Sequence, residues 1–310
     1  EISTRDWSSD VCSSDLHDEN PENVLVFGAD HVYRMDPAQM VNFHKEHDAG
    51  VTIAAIRVPR MSATEFGVIE LEADGIRIKA FHEKPSNPPA IPGEPDFALV
   101  SMGNYIFKRH LMEEALQLDS RDENSKHDIG ANIIPALTKL GVAFAYDFAR
   151  NNVPGETPRD KGYWRDVGSI DAYYDAHMDL VSIHPIFNLY NREWPVLTNP
   201  PSLPPAKFSE NGSAVDSIVS AGTIIAGGRV ERSVVGFEVN VHNNALVQAS
   251  VIASNVIIGS NAIVRNAILD KDVIVEPGAQ VGIDHERDRQ RSTISDGGIV
   301  VVGKGGVVKA

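Results

Sequence analysis

The sequence predicts an α/β domain followed by a parallel β-helix, and two patterns lead to this prediction. In the first part of the chain, apolar strands alternate with helices, which is typical of a sheet built from βαβ units. In the last part, aliphatic residues recur at steps of six, six and five residues, which is typical of a hexapeptide β-helix. A proline-rich stretch over residues 185–214 separates the two and is predicted to be a linker.

The first region opens with an apolar run over residues 24–29 that ends at Asp30. Such a run predicts a strand buried on both faces, as in a parallel sheet, with an acid at the edge where ligands bind. Asp36 and Pro37 predict the N-cap and first residue of a helix, which Gly50 ends. Further elements are predicted to residue 183, namely strands over 51–58, 67–71, 76–81, 97–107 and 142–148 and helices over 109–118, 129–140 and 169–183.

The second region carries the repeat, and its period is the strongest local signal in the chain. Strict alternation, as in an antiparallel sheet, has a period of two and would not give this spacing. Three steps per coil predict a triangular prism in which each coil is covered only by its neighbours. The predicted inward positions are Ile218, Ile224, Val230, Val235, Val241, Val247, Ile252, Ile258, Val264, Leu269, Val275 and Val281.

Composition limits the classes of partner. The 310-residue chain has a net charge of −15, which argues against a nucleic-acid partner, and no apolar stretch is long enough to cross a membrane. Its one cysteine, Cys12, excludes a disulfide framework and fits a cytoplasmic location. Residues 1–19 are expected to be a disordered, non-native leader, because the start of the chain has no helical or strand periodicity. Domains are therefore predicted over residues 20–184 and 215–310.

Candidate chemistry lies in short motifs of the first region, each of which has an ordinary structural explanation when taken alone. Two carboxylates, Asp30 and Asp166, suffice to share one Mg²⁺ ion, whose other ligands are phosphate oxygens and water. Lys84 is a point charge suited to a phosphate, Glu83 can accept hydrogen bonds from sugar hydroxyls, and Ser101 adds a small donor. Together they predict nucleotidyl transfer between phosphates without a protein nucleophile.

The motifs, taken in order, resemble the bacterial glucose-1-phosphate adenylyltransferase family from about Asn20 onward. They read GADHVYRMD, EFGVIE, FHEKPSNPP, SMGNYIF, HDIGANIIP, YWRDVGSIDAYYDAHMDL and SLPPAKF, and the hexapeptide repeat follows. The resemblance implies an incomplete Rossmann-like nucleotidyltransferase domain and a left-handed parallel β-helix. It also implies that ATP and α-glucose 1-phosphate give ADP-glucose and pyrophosphate, for glycogen synthesis, with Mg²⁺ as cofactor.

The resemblance also assigns roles to individual residues. Catalysis falls to Asp30, Asp166 and Lys84, with the two aspartates as the ligands of Mg²⁺. Glucose 1-phosphate binding falls to Gly67, Glu83, Lys84 and Ser101, with Lys84 on the phosphate. The family's glycine-rich GGxGxRL loop, which cradles the ATP phosphates, has no counterpart before a helix in this sequence. The chain as given is therefore expected to bind ATP poorly.

Regulation is the last expectation. Members of the family are usually tetramers controlled by anionic small molecules, so a homotetramer with such effectors is implied. The segment HERDRQR, residues 285–291, concentrates arginines in an acidic chain, and Lys271, Arg287 and Arg289 are the candidate effector ligands. A solvated loop after the last coil is the alternative explanation of this segment.

Three other functions stay open at this stage. The same fold serves other sugar-1-phosphate nucleotidyltransferases, and the nucleotide base is not specified by the motifs quoted. A β-helix acyltransferase would need a catalytic histidine, and His242 is the sole histidine in the four predicted coils. A non-catalytic regulatory subunit is disfavoured because Asp30, Lys84 and Asp166 are present.

Overall fold

The computed structural model describes residues 19–310, and the chain forms two compact units. The first holds the described residues up to Ala29 together with Arg34–Val153, and the second holds Asp30–Tyr33 together with Pro154–Ala310. The predicted leader lies outside the described residues except for its last residue. The change of compact unit between Val153 and Pro154 does not test the predicted domain limits at residues 184 and 215, which stay predictions.

The elements before the β-helix follow the predicted order closely. No helix in the described part of the chain has the length and apolar character needed to cross a bilayer. The elements are β1 (Asn23–Phe27), β2 (His31–Tyr33), α1 (Pro37–Glu46), β3 (Val51–Pro59), β4 (Gly67–Leu71), β5 (Ile78–Glu83), β6 (Phe97–Lys108), α2 (Arg109–Asp119), α3 (Ile134–Lys139), β7 (Ala143–Asp147), β8 (Trp164–Asp166) and α4 (Ile170–Leu180).

The first unit is built on a mixed sheet with the strand order β5–β4–β6–β3–β7, and β1 also pairs with β6. Strands β3 and β7 are parallel, whereas β6 runs antiparallel to β1, β3 and β4. Helices α2 and α3 cover the sheet through Met112, Ile134 and Leu137, which pack with Ile53 and Phe107 in one core. The predicted α/β class of this region is confirmed.

Two local predictions for the first unit are wrong. Strand β1 is antiparallel to its neighbour β6, and Leu25 is 43% exposed, so the strand is not buried on both faces. An apolar run gives no information on strand direction. The predicted helix over 129–140 is divided into a π-helical turn, Ile129–Ile133, and α3, because Pro135 has no N–H to continue a regular helix from the preceding turn.

A buried histidine links α1 to the sheet of the first unit. His44 is 1% exposed, and both of its ring nitrogens have partners. Its Nδ1 lies 2.8 Å from Thr52 Oγ1, and its Nε2 lies 3.1 Å from Asn23 Oδ1. A neutral imidazole satisfies both, by donating to Asn23 and accepting from the Thr52 hydroxyl. Burial, with a smaller effect of the Lys108 charge, lowers the pKa of His44 to about 4.

Acidification is therefore expected to destabilise the first unit through His44. Below its unfolded pKa of about 6.5 the unfolded chain takes up a proton that the folded chain excludes down to about pH 4. The free energy of unfolding is therefore unaffected by His44 above pH 6.5 and decreases by roughly 2–3 kcal/mol as the pH falls to 4. Urea denaturation of His44→Gln should show a shallower pH slope than wild type, whereas the exposed-residue control His110→Gln should not. Equal slopes for His44→Gln and wild type would contradict this origin.

The last part of the chain forms a parallel β-helix, as predicted. Its strands stack into three sheets that are parallel except where β23 meets β24. Short helix α5 (His285–Arg289) follows β22. The strands are β9 (Lys207–Ser209), β10 (Ser213–Val215), β11 (Ile218–Val219), β12 (Ile224–Ala226), β13 (Arg229–Glu231), β14 (Val234–Val235), β15 (Asn240–Val241), β16 (Leu246–Gln248), β17 (Val251–Ile252), β18 (Ile257–Ile258), β19 (Ile263–Arg265), β20 (Ala267–Leu269), β21 (Ile274–Val275), β22 (Gln280–Val281), β23 (Thr293–Ile294), β24 (Val300–Val302) and β25 (Val307–Val308).

Ten of the twelve predicted inward positions are buried, and the two exceptions lie in the first coil. Ile224 is 40% exposed, and its neighbour Ile225 is fully buried and pairs with Val241. Val219 likewise replaces Ile218 in the ladder, pairing with Val235. The first coil is one residue shorter than the template. Two adjacent aliphatic residues occur at each of these strands, so the sequence alone did not distinguish which one points inward.

The coil corners need left-handed backbone, and one of them carries an unfavourable residue. Asn244 and Asn261, 17 residues apart, both have positive φ, and asparagine tolerates this conformation. At another corner the equivalent residues are Arg232, Ala249 and Asn266, with φ of 44°, 45° and 44°. Alanine gains nothing at this position from a side-chain hydrogen bond and bears the full steric penalty of the left-handed region.

Replacing Ala249 by asparagine is therefore expected to stabilise the β-helix by about 1 kcal/mol. The reverse change at the next coil, Asn266→Ala, serves as the matched control and should destabilise by a similar amount. Chemical denaturation of both variants measures the two shifts. A loss of stability in Ala249→Asn would show that the corner is not limited by backbone strain.

Candidate active site

Two short strands bring Asp30 and Asp166 together in the second unit. Strand β2 pairs antiparallel with β8, and this pairing sets His31 opposite Asp166. The N–H of Val167 donates to the carbonyl of Asp30 at 2.9 Å, which extends the pairing beyond the strands. One ligand atom from each of Asp30, His31 and Asp166 lies within 4.8 Å of the others. Two carboxylates 136 positions apart in the printed sequence thus face the same small volume.

The carboxylate of Asp166 is oriented by the chain that follows it. Its Oδ1 accepts a hydrogen bond of 2.7 Å from the N–H of Gly168. A Cβ at position 168 would lie 3.0 Å from that oxygen and 3.5 Å from Asp30 Oδ2. Glycine therefore avoids crowding of the Asp166 carboxylate at this position. Gly168 lies within the YWRDVG motif but has no role predicted from the sequence, because only the folded chain places it beside both acids.

His31 is a further residue that the sequence analysis did not select. Its side chain is 12% exposed, and its Nε2 lies 3.5 Å from Asp30 Oδ1. The ring packs edge-on against Trp164, with centroids 5.2 Å apart. Its Nδ1 is buried and has no hydrogen-bond partner within the described part of the chain. The donor set is thus two carboxylates with an imidazole beside them. Carboxylate oxygens suit Mg²⁺ and imidazole nitrogen suits softer metals, so the two aspartates are the ligands that fit Mg²⁺.

The candidate sugar-binding residues lie in the first unit, where Gly67 and Glu83 face each other across β4 and β5. A Cβ at Gly67 would lie 2.3 Å from the ring of Phe81 and 3.1 Å from Glu83 Oε2. A Cβ at Gly130, in the π-helical turn, would lie 3.0 Å from the same oxygen. Two glycines from different elements therefore allow the Glu83 carboxylate to approach their backbone closely. Gly130 was within a quoted motif but was not assigned.

Electrostatics at Glu83 favour proton binding. Partial burial is the main cause of its raised pKa, and the negative charge of Asp128 adds to it. The adjacent Lys84 acts in the opposite direction. Asp128 is itself held by the N–H of Ala131, which donates to Oδ1 at 2.7 Å at the start of the π-helical turn. The side chain of Glu83 is nonetheless exposed, so its carboxylate is accessible to hydrogen-bond donors of a ligand.

Lys84 follows the end of β5 with an exposed side chain and a φ of 44°, in the left-handed region. This is an uncommon conformation for lysine and is often found at functional positions. The N–H of Lys84 donates to the carbonyl of Phe66 at 3.1 Å. The next residue is Pro85, whose ring restricts its own φ. The backbone thus leaves the line of the strand at the lysine.

Ser101 is buried within β6, and its hydroxyl already has two partners. It donates to Tyr105 Oη at 3.3 Å and accepts from the N–H of Gly103 at 3.1 Å. Burial raises the pKa of Tyr105, and the charges of Glu83 and Asp128 add to this effect. Tyr105 is therefore an unpredicted member of this group. Nothing in the sequence pattern distinguishes Tyr105 from an ordinary tyrosine within a strand.

The three candidate effector residues, Lys271, Arg287 and Arg289, are all exposed. Arg287 also donates to the carbonyl of Lys309 at 3.5 Å. Arg291, of the same basic segment, donates to Asp288 Oδ1 at 2.8 Å. Asp288 is 1% exposed and also accepts from the N–H of Gly282. One arginine of the segment therefore stabilises the turn itself.

Comparison with known proteins defines the class. A nucleotidyl transferase family model matches residues 11–182, and a GlmU-like, C-terminal hexapeptide model matches residues 204–302. The chain is thus a nucleotidyltransferase with a hexapeptide β-helix domain.

Similarity to individual proteins is high along nearly the whole chain. Glucose-1-phosphate adenylyltransferases of Corynebacterium jeikeium and Mycobacteroides abscessus are 54% and 57% identical to it, over 94% of this chain and 72% of their own lengths. That of Corynebacterium kroppenstedtii is 58% identical over 93% of this chain and 70% of its own length. The chain belongs to the glucose-1-phosphate adenylyltransferase family, as its motifs predicted.

Proposed function

We propose that this chain transfers the adenylyl group of ATP to α-glucose 1-phosphate, giving ADP-glucose for glycogen synthesis and releasing pyrophosphate. Family membership at 54–58% identity supports the reaction. The single structural observation that carries the proposal is the approach of the Asp30 and Asp166 carboxylates at the β2–β8 pair. Concentrated negative charge at the Asp30–Asp166 pair favours nucleotidyl transfer only when it holds a divalent cation.

Asp30 and Asp166 would hold Mg²⁺ through their carboxylates. When bound, Mg²⁺ neutralises charge on the nucleotide phosphates and favours in-line displacement. The N–H of Gly168 fixes one oxygen of Asp166 and leaves the other available. His31 lies beside the pair, and its packing on Trp164 limits the freedom of the segment that carries Asp30.

Glucose 1-phosphate would be bound by Gly67, Glu83, Lys84 and Ser101. Lys84 supplies a positive charge for the phosphate, and Glu83 accepts hydrogen bonds from sugar hydroxyls. A side chain at Gly67 would collide with the ring of Phe81 and approach the Glu83 carboxylate, so glycine is needed for these two groups to pack beside β4. Ser101 would act together with Tyr105, since their hydroxyls are hydrogen-bonded to each other.

These residues bind and orient reactants without forming a covalent bond to them. A phosphate oxygen of glucose 1-phosphate attacks the α-phosphorus of ATP, and the bond from that phosphorus to the bridging oxygen of the β-phosphate breaks. Pyrophosphate leaves with the electron pair of that bond. Lys84 stabilises the charge on the attacking phosphate while orienting it, which is a positional and electrostatic contribution.

A nucleotide panel tests the proposal. The protein encoded by the full gene should release pyrophosphate from ATP with glucose 1-phosphate at a kcat/KM at least about 100-fold above that with UTP, dTTP or GTP. Preference for another nucleotide would favour a different sugar-1-phosphate nucleotidyltransferase. Absence of pyrophosphate release with all four nucleotides would favour a non-catalytic regulatory subunit.

Regulation, assembly and location belong to the same proposal. Lys271, Arg287 and Arg289 would bind anionic effectors, and the protein would be a cytoplasmic homotetramer. The exposure of Lys271 and Arg289 supports availability for ligands. Unchanged activation and inhibition curves after reversing Arg287 and Arg289 to glutamate would remove the effector assignment, and sedimentation velocity would measure the assembly.

A further inference from the structure

Within the second unit, the first turn of α4 is joined to a loop of the β-helix through Asp171. Oδ1 of Asp171 accepts from the hydroxyl of Ser295, and Oδ2 accepts from the N–H of Gly297 at 3.1 Å. Both donors lie in the loop between β23 and β24. A Cβ at Gly297 would lie 2.6 Å from Asp171 Oδ1, so the loop accommodates this carboxylate only with glycine there. The contact is a fitted polar connection between the helix and the loop.

A short and well-fixed segment leads from this contact to the carboxylate pair. Ser169 caps α4 by accepting from the N–H of Ala172 at 3.2 Å. Gly168, one residue earlier, donates to Asp166, and Val167 donates to the carbonyl of Asp30. The N–H groups of Val167 and Gly168 thus each bind one of the two acidic residues. A shift of the first turn of α4 would be passed directly to Asp166.

Packing restrains one side of this segment weakly, because an open pocket lies beside it. A cavity of about 380 Å³ lies between residues 167–173 and coil residues that include Val251, Leu269 and Val301. Atoms that line a cavity lack contacts on one side, so dispersion forces restrain this part of the segment weakly. The hydrogen bonds of Asp171 therefore supply a restraint that packing does not provide. A negative charge in the first helical turn is also favourable to the helix itself.

We propose that Asp171 is a positioning residue for the metal-binding carboxylates. By fixing the first turn of α4 to the loop at 295–297, it sets the orientation of Asp166 and hence the affinity of the Asp30–Asp166 pair for a divalent cation. The proposal rests on the assignment of those two residues as Mg²⁺ ligands and deepens it. Residues outside the ligand set that orient metal ligands typically change metal affinity by 10- to 100-fold when mutated.

Direct cation binding is the decisive measurement, since it does not require turnover. Mn²⁺ is titrated into the full-length protein without nucleotide or sugar, and free Mn²⁺ is followed by electron paramagnetic resonance. Asp171→Ala is expected to raise the Mn²⁺ Kd about 10-fold, and Ser295→Ala to raise it less, because one donor remains. Asp171→Asn retains an acceptor oxygen and should recover part of the loss. In the assay, Asp171→Ala should raise half-saturating Mg²⁺ and lower kcat while the KM for glucose 1-phosphate stays within about twofold.

Tyr174→Phe is the matched control from the same helix. The hydroxyl of Tyr174 donates to the carbonyl of Ala249 at 2.8 Å, which also connects α4 to a coil but from the second turn. This variant should keep the wild-type Mn²⁺ affinity. Equal weakening by Tyr174→Phe and Asp171→Ala would overturn the proposal, since helix docking in general would then be the cause. Unchanged affinity in both Asp171→Ala and Ser295→Ala would overturn it as well.

Failure of this inference is distinguishable from failure of the proposed function. If wild type makes ADP-glucose and the Asp171 and Ser295 variants bind Mn²⁺ normally, the positioning role is wrong and the reaction stands. If wild type binds Mn²⁺ but makes no ADP-glucose, the reaction is wrong. Should Asp171→Ala fail to fold, as judged by circular dichroism, Ser295→Ala and Asp171→Asn carry the same test.

Discussion

Replacing Asp166 with asparagine is expected to reduce kcat by about 10³-fold with little change in folding. The substitution preserves size and can still accept the N–H of Gly168, but it removes one of the two negative charges that face the candidate metal position. Pyrophosphate release at saturating ATP and glucose 1-phosphate measures the loss. With only the charge of Asp30, the cation would be held more weakly and in a shifted position. Higher Mg²⁺ concentration should therefore restore only part of the rate.

A double variant makes this prediction sharper. If Asp30 and Asp166 share one ion, removing either carboxylate disables the same metal site. The kcat of Asp30→Asn/Asp166→Asn should then be only slightly below that of the less active single variant. Independent roles would instead give multiplied losses. Asp272→Asn is the control in the same unit, because this exposed carboxylate lies at a coil corner with a φ of 64° that asparagine also tolerates. Retention of wild-type kcat by Asp166→Asn would be incompatible with the proposed mechanism.

Replacing Lys84 with alanine is expected to raise the KM for glucose 1-phosphate by about 100-fold while the KM for ATP changes little. A charge-assisted contact to a phosphate is stronger than a neutral hydrogen bond, and the side chain is exposed at the end of β5, where a ligand can reach it. The unusual backbone at this residue fixes the direction in which the side chain leaves the strand. Initial-rate kinetics with each substrate varied in turn separate the two KM values.

Lys79 provides the control for Lys84. It is an exposed lysine of β5, the strand that Lys84 follows, and it has no proposed role. Its Nζ lies 3.7 Å from Glu70 Oε2. Lys79→Ala should leave both KM values unchanged. Lys84→Arg keeps the charge on a differently shaped group and should fall between wild type and Lys84→Ala. An equal rise in the KM for ATP and for glucose 1-phosphate in Lys84→Ala would move the lysine from the sugar phosphate to a general electrostatic role.

The predicted elements were accurate where local signals act over short distances. Asp36 and Pro37 do begin α1, and β4 has the predicted bounds, because capping and strand propensity depend on neighbouring residues. The predictions failed where two alternative structures differ only in how the side chains or strands pack. Ile224 and Ile225 are equally apolar, and only stacking on Val241 determines which one is buried. The direction of β1 likewise depends on its partner strand rather than on its own residues.

For the candidate site, the motifs identified the acids and the lysine but not the residues that arrange them. Gly168, Tyr105 and Asp171 carry no distinguishing local pattern. Gly168 matters because a Cβ there would crowd the Asp166 carboxylate, and Tyr105 matters because its hydroxyl is hydrogen-bonded to Ser101. These are contacts between residues whose importance depends on distances in space, which spacing along the chain does not supply.

By itself the sequence determined the order of the two regions, the hexapeptide repeat and the family, because periodicity and ordered motifs are properties of the chain. Tertiary structure alone decided which aliphatic residue faces the coil interior, how Asp30 and Asp166 share one volume, and which loop holds Asp171. The physical reason is that side-chain orientation and desolvation are set by partners distant in the chain, and those partners are defined only once the backbone has folded.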